Sequence, residues 1–232
     1  MVLNELIQRS PVRIFEKSIH GGLKAGEIGI IVSSSGIGKT SVLVQLAMDK
    51  LLQGKKVIHV SFTQHADYVL AWYEDIFEEF TRTKNLDKIA EVKNDLVKNR
   101  VLLNFSQDGV TGPQILKSLK ALVKDGGFAA DAIIVDGFDF NRTSRGRMEA
   151  VKAGAAELGV SFWYSCTVKG GESHDKGIPR VLAGFVDLLD VVIVLEPKED
   201  HIELTASKDR DSTNLEHLAL RLDPKTLLIL EE

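Results

Sequence analysis

A chain of 232 residues, 44% hydrophobic and 27% charged, can bury one large α/β core, and two full domains would be crowded. A formal charge of −4 and a pI near 5.9 give no overall attraction to nucleic acid or to an anionic membrane. The single cysteine, Cys166, excludes an internal disulfide framework, and no apolar run approaches the roughly 20 residues that span a bilayer, so one soluble cytoplasmic domain over residues 1–232 is expected.

The first strong element is the short branched run "EIGIIVS", which reads as a buried parallel strand and leads into "SSGIGKT". A helix is predicted from about Lys39 to Gln53, with Leu43, Leu46, Ala47 and Leu51 inward and Gly54 ending it. "KKVIHVSF" is a second strand. After it, Val69, Trp72, Tyr73, Ile76, Phe77 and Phe80 recur at helical spacing and predict an amphipathic helix whose stripe faces the core. Leu86, Ile89, Val92 and Leu96 suggest a further charged helix that returns the chain to a strand at "RVLLNF".

Helix signals at "TGPQILKSLKALV" and at Met148, Val151, Ala155 and Leu158 flank the strand "DAIIVDGF". "VSFWYSC" and "LDVVIVLE" supply two more strands. Alternating strand and helix predict an α/β fold with a mostly parallel central sheet and helices on both faces. The tail differs: "HIELTASK", "EHLALRL" and "LLILEE" are short strands joined by turn residues, which predicts a C-terminal antiparallel β extension at one sheet edge.

Ser33–Thr40 matches the phosphate-binding pattern G-x-x-x-x-G-K-[ST] except that Ser33 stands where glycine is usual. Backbone N–H groups over Ser34, Ser35, Gly36, Ile37, Gly38, Lys39, Thr40 and Ser41 are the candidate cradle for a nucleotide, because such a loop and the helix end behind it favour anions. Lys39 can reach the β- and γ-phosphates, and the Thr40 hydroxyl can ligate Mg²⁺. Asp136 ends an apolar strand, the place from which a carboxylate holds Mg²⁺ beside the loop. Asp139 reads as readily as a helix cap.

With these residues in order, "IHGGLKAGEIGIIVSSSGIGKTSVLVQLA", "VIHVSFTQHADYVLAW", "AIIVDGFD", "LLDVVIVLE" and "ASKDRDS" together resemble the KaiC-type, RecA-like P-loop ATPases over nearly the whole chain. The resemblance implies a RecA-like fold, ATP with Mg²⁺, and a homo-oligomer, often a hexamer, with ATP or ADP between subunits. It also implies that Lys208 and Arg210, in a K-x-R pattern, reach the γ-phosphate of a neighbour's nucleotide. The family places adjacent glutamates after the second strand to polarise the attacking water, and here Thr63 and Gln64 stand instead. Gln64 can orient water by hydrogen bonds but accepts no proton, and losing a general base costs about 10²–10⁴ in rate, so slow hydrolysis is expected.

Three functions follow as expectations: a slow Mg²⁺-dependent ATPase controlling assembly or a protein partner, a non-hydrolysing ATP sensor or scaffold, and a DNA recombination or helicase relative. The acidic balance and the lack of a basic loop interleaved with aromatics argue against nucleic acid. His65 beside Gln64 is a weaker candidate to assist the water, whereas Cys166 reads as a small core residue and His174, in the loop "VKGGESHDKGIP", has no companion ligands at a metal spacing.

Overall fold

The computed structural model describes residue 7 and residues 10–62, 65–82, 89–106, 112–169, 178–212 and 216–231. Its first helix, α1 (Pro11–Ser18), has no counterpart among the sequence-based expectations: only Val12 and Phe15 of its eight residues are buried, too few to set up a readable period. Then come β1 (Ile28–Ser33), α2 (Lys39–Leu52), β2 (Val57–Ser61), α3 (Ala66–Thr81), α4 (Ile89–Lys98) and β3 (Arg100–Asn104). The second half runs α5 (Gly112–Lys120), β4 (Ala132–Asp136), α6 (Arg145–Leu158), β5 (Ser161–Thr167), β6 (Val191–Pro197), β7 (Ile202–Asp209), β8 (Glu216–Leu222) and β9 (Ile229–Glu231).

The nine strands of the described residues form one sheet in the order β3-β2-β4-β5-β1-β6-β7-β8-β9. The first six are parallel, and β7, β8 and β9 are added antiparallel at one edge, as the sequence pattern predicts. Residues 180–188 form 3-10 turns and α5 widens into a π turn at Ala121–Asp125, two irregularities that periodicity does not mark.

Two hydrophobic cores lie on opposite faces of the sheet. One packs α1, α2, α3 and α4 against Ile31, Val57, Ile134 and Ile193; the other packs α5 and α6 against Ile30, Ile58, Ile133 and Phe162. Successive residues of each strand thus enter opposite cores, which is why the parallel strands read as continuous apolar runs. Trp163 enters the α1 side beside Gly29, where a Cβ would stand 2.4 Å from its ring, so the bulky indole and the bare glycine are fitted to one another.

Twelve of the fourteen residues of α2 are buried, more than a surface stripe would account for. Its extra cover comes from the chain's far end. Ser41 Oγ donates to the Leu227 carbonyl at 2.6 Å, Gln45 Nε2 donates to the same carbonyl at 2.9 Å, and Ile229 N–H donates to Gln45 Oε1 at 2.9 Å. The β8–β9 turn therefore clasps the helix that opens with Lys39.

Candidate functional site

Because β1, β4 and β5 are parallel and adjacent, their C-terminal ends open on one edge of the sheet, where α/β sheets carry ligands. After Ser33 the chain turns through Gly36 at φ +80° and Gly38 at φ +112°, both in the left-handed region that glycine adopts without strain. Gly38 is also the N-cap of α2, and a Cβ there would meet Leu222 Cδ2 at 2.5 Å. At Gly36 the same construction meets nothing within 4 Å, so that glycine faces open space.

The loop borders a cleft of about 450 Å³ lined by Ser35, Gly36, Gly38, Lys39, Thr40, Trp72, Asp136, Gly137, Ser165, Thr167 and Leu227. Six of the predicted site residues therefore meet in one cavity. Ser34 contributes its carbonyl to the loop, while the Ile37 side chain packs half-buried against the α1-side core. Ser41 is fully buried and its hydroxyl is spent on Leu227, so it stands behind the cleft rather than in it.

Asp136 is buried and held from two sides. Thr40 Oγ1 donates to Oδ2 at 2.8 Å, and Ser165 Oγ donates to Oδ1 at 2.6 Å while accepting from Gly137 N–H at 2.7 Å. This fixes both carboxylate oxygens next to the threonine hydroxyl. Lys39 is 8% exposed, and its Nζ donates to Ser33 O at 3.1 Å, Ser33 Oγ at 3.0 Å and Ser34 O at 2.7 Å. Burial pulls the Lys39 ammonium below the ordinary lysine range, and the nearby Asp136 charge opposes that pull.

The donor set fits a hard cation and a polyphosphate. A hydroxyl and a carboxylate are oxygen ligands of the kind Mg²⁺ takes, one or two from the protein and the rest from water and phosphate. Among the described residues no cluster of three or more His, Cys, Asp or Glu side chains could hold a metal ion.

Trp72, Ser165, Thr167 and Leu227 line the cleft without having been picked out from sequence. Trp72 belongs to the core stripe of α3 and packs half-buried against the α1-side core, and it also borders the cleft, while its neighbour Tyr73 is buried. Thr63 and Gln64, the residues standing where a catalytic carboxylate is expected, lie outside the described residues, as does His174. His65 is exposed and pairs with Asp67 at 3.1 Å. Asp139 Oδ1 accepts from Asn141 N–H at 2.9 Å and caps a 3-10 turn. Cys166 is buried in the α6-side core.

Lys208 and Arg210 lie at the other end of the sheet. Lys208 pairs with Val192 and Asp209 with Val191, beside Gly29, four residues before the end of β1, or about 13 Å of strand. Neither can meet the cleft of its own chain. Arg210, at φ +51°, uses all five guanidinium N–H groups: Nη1 to the Ile19 carbonyl at 2.8 Å and to Asp209, Nη2 to the Gly22 carbonyl at 2.7 Å and Glu27 Oε2 at 2.9 Å, and Nε to Glu27 Oε1 at 3.3 Å. It thus ties the exit of α1 to β7. The Lys208 ammonium makes one hydrogen bond among the described residues, to the Leu189 carbonyl, and burial lowers its pKa against the pull of Asp190.

Neither a scan of protein-family models nor a search of curated proteins finds a match to this chain. Among the described residues, no helix is long and apolar enough to cross a membrane.

Proposed function

We propose that this chain is a KaiC-type, RecA-like P-loop protein that binds ATP with Mg²⁺ in the cleft at the end of β1 and hydrolyses it slowly, its nucleotide state controlling self-assembly or a protein partner in the cytoplasm. One observation carries the reading: the ammonium of Lys39, the hydroxyl of Thr40 and the carboxylate of Asp136 meet in one cleft, with Thr40 Oγ1 at 2.8 Å from Asp136. Gly36 and Gly38 let the backbone approach phosphate oxygens, Lys39 neutralises the β- and γ-phosphates, and Thr40 with Asp136 holds Mg²⁺, which supplies charge neutralisation to the transferred phosphoryl group. Ser165 keeps Asp136 oriented.

Subunits meeting head to tail would set the β7 end of one copy against the cleft of the next, the heterologous contact from which rings such as hexamers are built. In that arrangement Lys208 is the cation free to reach a neighbour's γ-phosphate. Arg210 would have to surrender its hold on Ile19, Gly22, Glu27 and Asp209 to do the same, so its part is to brace the end that presents Lys208.

The non-hydrolysing sensor is the second reading, favoured by Gln64 in the position of a carboxylate. Direct ATP binding and Mg²⁺-dependent turnover on the wild type, Lys39→Ala and Gln64→Glu separate the two. The ATPase reading expects binding and slow turnover, with turnover lost and binding weakened but measurable in Lys39→Ala, and turnover raised by Gln64→Glu. Binding without turnover in all variants makes the protein a sensor, and folded protein that binds no nucleotide overturns the assignment.

A further inference from the structure

The residue that breaks the loop pattern, Ser33, is also one of the three acceptors around Lys39. Its carbonyl accepts from Lys39 Nζ at 3.1 Å and is fixed in place by Val168 N–H at 3.1 Å, across from the end of β5. Its hydroxyl donates to the Ser34 carbonyl at 2.9 Å and so turns a lone pair toward Lys39 Nζ, 3.0 Å away. With Ser34 O as the third acceptor, the three ammonium protons have three partners, all within the loop's own first two residues. An ammonium has three donors and no more. A glycine at position 33 could offer its carbonyl but no side-chain oxygen.

We propose that the Ser33 hydroxyl is a latch on Lys39 that sets nucleotide affinity: an incoming phosphate must draw the ammonium off a side-chain acceptor that the usual loop sequence does not supply. This inference rests on the reading of the cleft as a phosphate site and deepens it. Ser33 is 3% exposed and its Oγ lies within hydrogen-bond reach of Lys39 alone among charged groups of the described residues, so the hydroxyl acts through Lys39 and is a positioning residue. The latch holds Lys39 where the Asp136 carboxylate still feels its charge, which keeps the cleft's charges together between rounds of binding.

Ser33→Ala removes the hydroxyl and keeps the Cβ. One ammonium proton is then left without a partner in a buried place, and a phosphate oxygen satisfies it. ATP and ADP, which carry a β-phosphate for Lys39 to hold, should bind about five- to tenfold more tightly to Ser33→Ala than to the wild type, measured by calorimetry with Mg²⁺, and AMP should be unchanged. In a Lys39→Met background the Ser33→Ala change should have no effect, since the group it acts on is gone. Without added nucleotide, the ¹⁵N resonance and proton exchange of the Lys39 ammonium should report the lost partner directly, with faster exchange in Ser33→Ala.

Unchanged or weaker ATP binding in Ser33→Ala overturns the latch while leaving the nucleotide assignment intact. A gain that persists in the Lys39→Met background overturns it as well, because the effect then does not pass through the ammonium. Folded wild-type and variant proteins that bind no nucleotide overturn both the latch and the reading beneath it, and are told apart from the first outcome by the wild-type titration alone.

Discussion

The two ends of the sheet carry similar side chains in opposite conditions. At the cleft end, Lys39, Thr40 and Asp136 surround open volume, and their hydrogen bonds are to partners that a ligand can replace. At the β7 end, Arg210 and Asp209 are locked into a closed network with Glu27 and two backbone carbonyls, while Lys208 makes a single hydrogen bond among the described residues. Charge by itself therefore does not mark a site: what separates the two ends is whether the polar groups have been used up inside the chain.

The comparison is broken most severely at Arg210. Removing the guanidinium in Arg210→Ala leaves the partly buried Glu27 without its cation, Asp209 with His20 as its remaining side-chain partner, and two carbonyls without a donor, and should cost about 3 kcal/mol of stability, read as a lower urea midpoint at unchanged slope. A loss near zero would return Arg210 to the pool of free charges and restore its claim to act on a neighbour.

Between the two ends, His59 shows what burial alone does to an ionisable group. It lies in β2, fully buried, with Nδ1 at 3.0 Å from the Tyr73 hydroxyl, and Nε2 has no partner among the described residues. Burial brings its pKa down from 6.5 to about 4, with Asp136 opposing. The folded state holds His59 neutral where the unfolded chain protonates it, so the unfolded state binds more protons between these values. Its contribution is complete above about pH 6.5 and falls away as the pH drops toward 4, by about 3 kcal/mol. Denaturation at several pH values should show that slope, and His59→Gln should flatten it.

The two loop glycines sharpen the picture at smaller scale. Gly38→Ala meets both a φ of +112° and Leu222 at 2.5 Å, and should cost about 2 kcal/mol; Gly36→Ala meets only the backbone preference and should cost about 1 kcal/mol, the difference appearing as a gap in Tm. Lys208→Ala stands last. With one hydrogen bond and partial exposure its loss should change stability by about 0.5 kcal/mol or less, while turnover of an assembled form should fall at least about tenfold if it serves a neighbour's phosphate. A variant with unimpaired turnover removes Lys208 from the proposed site.

How much of this was legible in the sequence depends on distance along the chain. The loop and its helix were readable because Ser33 to Thr40 are contiguous and obey one local pattern, and Asp136 was readable because it closes an apolar strand. Ser165, which orients Asp136 from 29 residues away, sits in a strand whose apolar reading gave its hydroxyl no distinction. Trp72 fell within a helical stripe, and a stripe specifies a face of the helix without saying that one residue at its margin meets a cleft. The internal hold on Arg210 was not legible for another reason: two of its partners are backbone carbonyls, and a carbonyl leaves no mark in the identity of the residue that bears it.

The placing of β1 in the sheet also bears on the order in which the protein comes into being. This strand carries the glycine loop, yet its two neighbours are β5 at Ser161–Thr167 and β6 at Val191–Pro197, and the helix after the loop takes its last cover from Leu227 and Ile229. Contacts of such long sequence separation form late and slowly. The glycine loop is therefore framed only once segments far along the chain have docked against it, so the cleft takes shape late in folding rather than seeding it.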